Sequence, residues 1–135
     1  MKKIFITLSL TISFILGGCT SNIQPILKGT YQSDAVNGYV VQIAFQPDEN
    51  SFVEYIDNRE VDSGAYEKYQ ENVYKLESNK QNFKITLNEE NAFEVIIDTL
   101  NNGKPIKLNN IRDIPVYSST EFDDVDTYKA LLNKN

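Results

Sequence analysis

The chain has 135 residues, a single cysteine, no histidine and no tryptophan, and it carries 13 Lys and Arg against 19 Asp and Glu. The missing histidine excludes a His-based triad, an imidazole general base and His/Cys metal sites, and one cysteine cannot form an intramolecular disulfide. A net charge of −6 disfavours nucleic acid and anionic headgroups, so no nucleic-acid partner is expected and a basic partner is weakly favoured.

Lys2 and Lys3 precede an uncharged run, 4–16, in which only Thr and Ser interrupt the apolar residues. The run is shorter than the roughly 20 residues of a membrane-spanning helix and has the form of a signal-peptide core. Small residues follow, then the only cysteine: Leu16-Gly17-Gly18-Cys19 resembles the bacterial lipobox. The resemblance implies cleavage after Gly18, a diacylglycerol on the sulfur of Cys19, and a chain held at the extracytoplasmic face of the cell membrane. Two acyl chains make such an anchor stable, because each buried CH₂ contributes ~0.8 kcal/mol. Abundant Asn, Ile, Lys, Tyr and Phe point to an AT-rich genome and a Gram-positive host. Loss of Lys2 and Lys3 with the leader leaves 11 basic and 19 acidic residues, a charge of −8. The expected organisation is a signal peptide over 1–18, a lipidated tether over 19–28, a β-barrel domain over 29–118 and a C-terminal segment over 119–135.

From Gly29 the pattern has period two. Tyr39, Val41, Ile43 and Phe45 alternate with Val40, Gln42, Ala44 and Gln46; Phe83, Ile85 and Leu87 share one face, as do Phe93, Val95 and Ile97. Such alternation marks half-buried antiparallel strands. Seven clusters of turn residues divide the chain into about eight strands, near 29–33, 39–46, 51–57, 60–68, 73–77, 82–87, 92–100 and 104–110, with a ninth extended piece over 114–117. Every connection is too short for a parallel crossover. The fold class is therefore all-β: an antiparallel up-and-down meander closing into a small barrel without free edges. Asn102-Gly103 suits a two-residue type I′ turn, which would pair Asn101 with Lys104, Thr99 with Ile106, Asp98 with Lys107 and Ile97 with Leu108. In the tail, Val125, Tyr128, Leu131 and Leu132 recur at helical spacing behind Asp123, Asp124 and Asp126. This reads as a short amphipathic helix that packs on the barrel wall or plugs one end.

Gly29-Thr30-Tyr31 at the head of an eight-stranded meander resembles the opening of lipocalins and their calycin relatives. The resemblance implies that Tyr31 closes the barrel floor and that Arg112 packs over it. The family's usual tryptophan and disulfide are absent. The 52–66 stretch, FVEYIDNREVDSGAY, is similar to the central hairpin of small bacterial lipoproteins with a lipocalin-like domain.

Little in the sequence suggests chemistry. Asp123, Asp124 and Asp126 lack the glycine and closing glutamate of a calcium loop, and Glu89 and Glu90 fall in an exposed turn. Phosphate-loop, nucleophile-elbow and zinc patterns are absent, so neither enzymatic activity nor a cofactor is expected. The seven tyrosines from Tyr31 to Tyr117 are read as cross-strand packing rather than a ligand-binding ring. Tyr39, Ile43, Phe45, Phe83, Ile85, Leu87, Phe93 and Ile97 are large inward positions for a small barrel, which favours a filled interior. The functional expectation is a lipid-anchored envelope module that binds a protein or envelope component through barrel loops. The alternative is a carrier of a small apolar or amphipathic ligand.

Overall fold

The computed structural model describes residues 24–133; Gly18 and Cys19 lie outside them. Among the described residues eight antiparallel strands follow one another: β1 (Gly29–Ser33), β2 (Val41–Gln46), β3 (Ser51–Ile56), β4 (Arg59–Gln70), β5 (Val73–Ser78), β6 (Asn82–Thr86), β7 (Ala92–Val95) and β8 (Ile106–Arg112). Their order in the sheet is β6-β5-β4-β3-β2-β1-β8-β7. The β1–β8 pairing curls the meander into a nearly closed barrel. Closure is incomplete, in contrast to the expected edgeless barrel, because β6 and β7 stay at the two ends of the sheet without pairing.

The period-two pattern places the inner face. Val41, Ile43 and Phe45 are buried, and their cross-strand partners Ile56, Glu54 and Phe52 point the same way. One half of the interior is aromatic. Tyr31 meets Phe45 at 5.6 Å and Phe93 at 4.9 Å between centroids, and Phe45 meets Tyr66 at 5.2 Å. Four of the seven tyrosines, Tyr31, Tyr55, Tyr66 and Tyr74, are buried, while Tyr69 and Tyr117 are exposed. Tyr39 lies ahead of β2, half-buried, with its ring edge-on to Tyr128 at 6.1 Å.

Two glycines are fixed by close approach. A Cβ on Gly29 would lie 2.1 Å from the carbonyl oxygen of Arg112, and one on Gly64 would lie 2.0 Å from that of Glu77. The first lets β1 press against β8. The second lets β4 bend onto β5 in the 52–66 hairpin, whose own turn places Asp57 and Asn58 both at positive φ.

The sequence contains Asn-Gly twice, and the two copies behave differently. Asn37-Gly38 makes a hairpin turn, with Val36 and Tyr39 exchanging main-chain hydrogen bonds of 2.7 and 2.9 Å. Asn102-Gly103 does not, which corrects the expected hairpin and its register. Both residues have positive φ as anticipated, but they terminate a single helical turn, α1 (Asp98–Asn101). Strand β7 ends at Val95, and β8 starts at Ile106 after Pro105, which has no N–H for a ladder. Phe93 faces Leu108, Glu94 faces Lys107 and Val95 faces Ile106. Relative to expectation the register slips by four residues. An even slip preserves which side chains face inward, so Ile97, Ile106 and Leu108 are all buried although their partners differ. Lys107 pairs with Glu90 at 3.4 Å rather than with Asp98.

Residues 114–117 form no strand; they are pinned by Thr30, whose hydroxyl donates to the Ile114 carbonyl and accepts from the Val116 N–H, both at 2.9 Å. The tail forms α2 (Val125–Lys129) and a 3₁₀ turn (Ala130–Leu132). Tyr128, Leu131 and Leu132 pack against the core, so the amphipathic spacing is realised.

Candidate functional site

The two barrel ends differ. The proximal end carries the turns at 47–50, 71–72 and 88–91 and is crossed by residues 24–28. Leu27 is buried there, its N–H donating to the Tyr74 hydroxyl at 3.4 Å, and the Gln24 amide reaches the Leu87 carbonyl at 3.4 Å. Tyr31 is fully buried, and its hydroxyl donates to Asn91 Oδ1 at 2.7 Å; burial pushes its pKa up to about 12. The floor role implied for Tyr31 fits this position. The role implied for Arg112 does not: Arg112 is exposed and takes part through its backbone, opposite Thr30.

The distal end carries the turns at 34–40, 57–58 and 79–81, together with α1 and the C-terminal segment. Its interior holds an acidic pair. Glu54 on β3 and Asp62 on β4 are direct cross-strand partners, and Glu54 is only 1% exposed. The Gln81 amide nitrogen donates to both, at 2.9 Å to Glu54 Oε2 and 2.8 Å to Asp62 Oδ2. Asp62 also accepts from the Ser78 hydroxyl at 2.6 Å and from the Ser63 N–H at 2.9 Å. Glu54 has the poorer hydrogen-bond supply: burial, opposed by the Gln81 amide and reinforced by the charge of Asp62, pushes its pKa up to about 7. Lys80 lies nearby with its ammonium on the Val61 carbonyl at 3.2 Å, and its charge acts in the opposite direction on Glu54.

The turn that supplies Gln81 stands between two clefts. One, of about 670 Å³, runs between β4 and the C-terminal segment, past Asp62, Lys80, Ser118 and Phe122. Arg59 organises this side. Its guanidinium donates to both carboxylate oxygens of Asp124 at 2.9 and 3.0 Å and stacks over Phe122 and Tyr128 at 3.9 and 4.5 Å. The ion pair raises the Arg59 pKa and lowers that of Asp124. Asp124 is therefore engaged by Arg59, while Asp126 occupies the first turn of α2. The other cleft, of about 1050 Å³, occupies the distal half of the β6/β7 seam. Inward-facing Phe83, Val95 and Ile97 line it, together with Leu131 and Leu132.

Glu54 and Asp62 were not singled out in the sequence reading. The signal was present in the alternation Phe52-Glu54-Ile56, which puts a carboxylate on the inner face of a strand. Glu89 and Glu90, which drew attention, are exposed. No protein-family model matches the chain, and neither a curated protein nor a solved structure matches it.

Proposed function

We propose that this protein is a lipid-anchored interaction module of the cell envelope, tethered through Cys19 and binding a protein or envelope component at its distal end. The observation that carries this reading is the filled proximal interior, where Tyr31, Phe45, Phe93 and Tyr66 meet across the barrel and occupy the space a carried ligand would need. The leader pattern ending at Cys19 supports the anchor. Four residues lie between Cys19 and Gln24, so at about 3.5 Å each the tether would hold the proximal end close to the bilayer. The distal loops would then face outward, as binding loops on a rigid scaffold commonly do.

The anchor is tested by detergent partitioning of cells expressing wild type or Cys19→Ser. The proposal expects wild type in the detergent phase and the variant in the aqueous phase; both in the aqueous phase removes it. The second reading, a carrier of a small apolar or amphipathic ligand, draws support from the apolar lining of the seam cleft. Native mass spectrometry of freshly purified protein separates the two. The interaction reading expects the bare chain mass, and a near-stoichiometric small molecule would replace it with the carrier reading.

A further inference from the structure

We infer that the open seam between β6 and β7 receives an extended segment of a partner protein as an added strand. This rests on the interaction reading and specifies the partner's chemistry. Among the described residues, strands β6 and β7 are the two unpaired ends of one sheet, so each has one edge without a strand partner there. An edge strand presents a row of main-chain donors and acceptors, the template for pairing with another chain. Here both edges face the same cleft, which is lined by Asn82, Phe83 and Lys84 on one bank and by residues Glu94 to Ile97 on the other. Among possible occupants, an extended peptide backbone is the one that can answer both rows of hydrogen-bonding groups while laying side chains inward.

The cleft also sets side-chain preferences. Phe83 is only half-buried although it faces inward opposite Leu76, and Val95 and Ile97 complete an apolar floor. A strand meets that floor with every second residue, so the occupant is apolar at alternate positions. Glu94 and Asp98 lie on the β7 bank, whereas on the β6 side the Lys84 ammonium is turned onto the Tyr69 ring at 3.7 Å and the Lys80 ammonium onto the Val61 carbonyl. The outer face of the occupant therefore carries bases toward β7.

The test uses the full chain carrying Cys19→Ser as bait for a displayed library of random peptides. The selected peptide is then resynthesised with single backbone N-methyl groups, which remove one main-chain donor and leave the side chains unchanged. A strand held at both edges points successive N–H groups alternately at β6 and β7, so strand addition predicts that methylation at each consecutive position of the paired stretch weakens binding about tenfold, the equivalent of a main-chain hydrogen bond, while methylation outside that stretch is tolerated. Amide shifts should centre on 82–86 and 94–97, and Glu94→Lys, at an exposed site, should exchange basic for acidic preference in a repeated selection. Binding that is insensitive to backbone methylation, or with shifts confined to 34–40 and 57–58, overturns strand addition while leaving loop-mediated interaction intact. Failure to select any peptide, or a dimer mass by light scattering with shifts at 82–86, also overturns it. A co-purified small molecule in the seam overturns both this inference and the reading beneath it.

Discussion

At the proximal end of the barrel, Leu27 is sealed under the Tyr74 hydroxyl and the aromatic rings of β1, β2, β4 and β7 lock against one another. At the distal end, the chain closes over itself with a helical turn, a C-terminal helix held by Arg59, and a polar network around two carboxylates. The first kind of closure is non-directional and gains from every ring buried. The second depends on hydrogen-bond geometry and on a proton, and it leaves a cleft on either side of the turn that carries Gln81. A protein that needs one firm end and one responsive end obtains both from a single sheet by changing the inner-face residues along each strand.

The largest effect is expected from breaking the proximal side. Phe93→Ala removes a ring in contact with both Tyr31 and Phe45, and large-to-small changes of this kind cost about 3–5 kcal/mol. Urea denaturation should register the loss at all pH values; a cost below about 1 kcal/mol would mean that the aromatic cluster is not what holds this end.

The distal side should respond to pH instead. Glu54 has a folded pKa of about 7 against an ordinary 4.5, so the folded state binds its proton more tightly than the unfolded state does. The associated stability is fully present below about pH 4.5 and is lost as pH rises through 7, to a total of about 3 kcal/mol. Glu54→Gln keeps an acceptor for the Gln81 amide and cannot ionise. It should therefore flatten that part of the pH profile, matching wild type at low pH and exceeding it at pH 8. Parallel profiles for the two proteins would contradict the buried acid.

Two smaller changes sharpen the contrast. Tyr31→Phe keeps the proximal ring and deletes its hydroxyl, so it should cost about 1 kcal/mol, far less than loss of Phe93. Arg59→Ala should scarcely move the global midpoint. It should instead release the 118–133 segment, seen as faster amide exchange at Tyr128 and as easier proteolysis there.

The same contrast explains what could be read from the sequence. Period-two alternation responds to burial on one face, so the eight-strand meander and its inner-face residues were legible; β1 was placed at 29–33 as found, whereas β7, expected over 92–100, ends at Val95. Partner identity was less legible, because a four-residue slip leaves the alternation unchanged. At 97–103 the clue to α1 was Leu100, buried three positions after Ile97 at helical rather than strand spacing. Asn-Gly alone could not decide, since positive φ serves a hairpin turn and a helix C-terminus equally. The acidic pair required knowing that Glu54 faces Asp62 and that a distant amide, Gln81, reaches both. The open seam follows from sheet curvature, which strand patterning does not encode.

Residue-resolved amide exchange on the full chain, expressed as protection factors at pH 5 and pH 8, tests the division between the two ends most directly. The account predicts that Tyr31, Phe45 and Phe93 exchange only through global unfolding at both pH values. Amides of 79–84 and 94–98 should open locally, with protection that falls further at pH 8 in wild type but not in Glu54→Gln. Uniform protection across the barrel, or earlier opening at the proximal end, would contradict it.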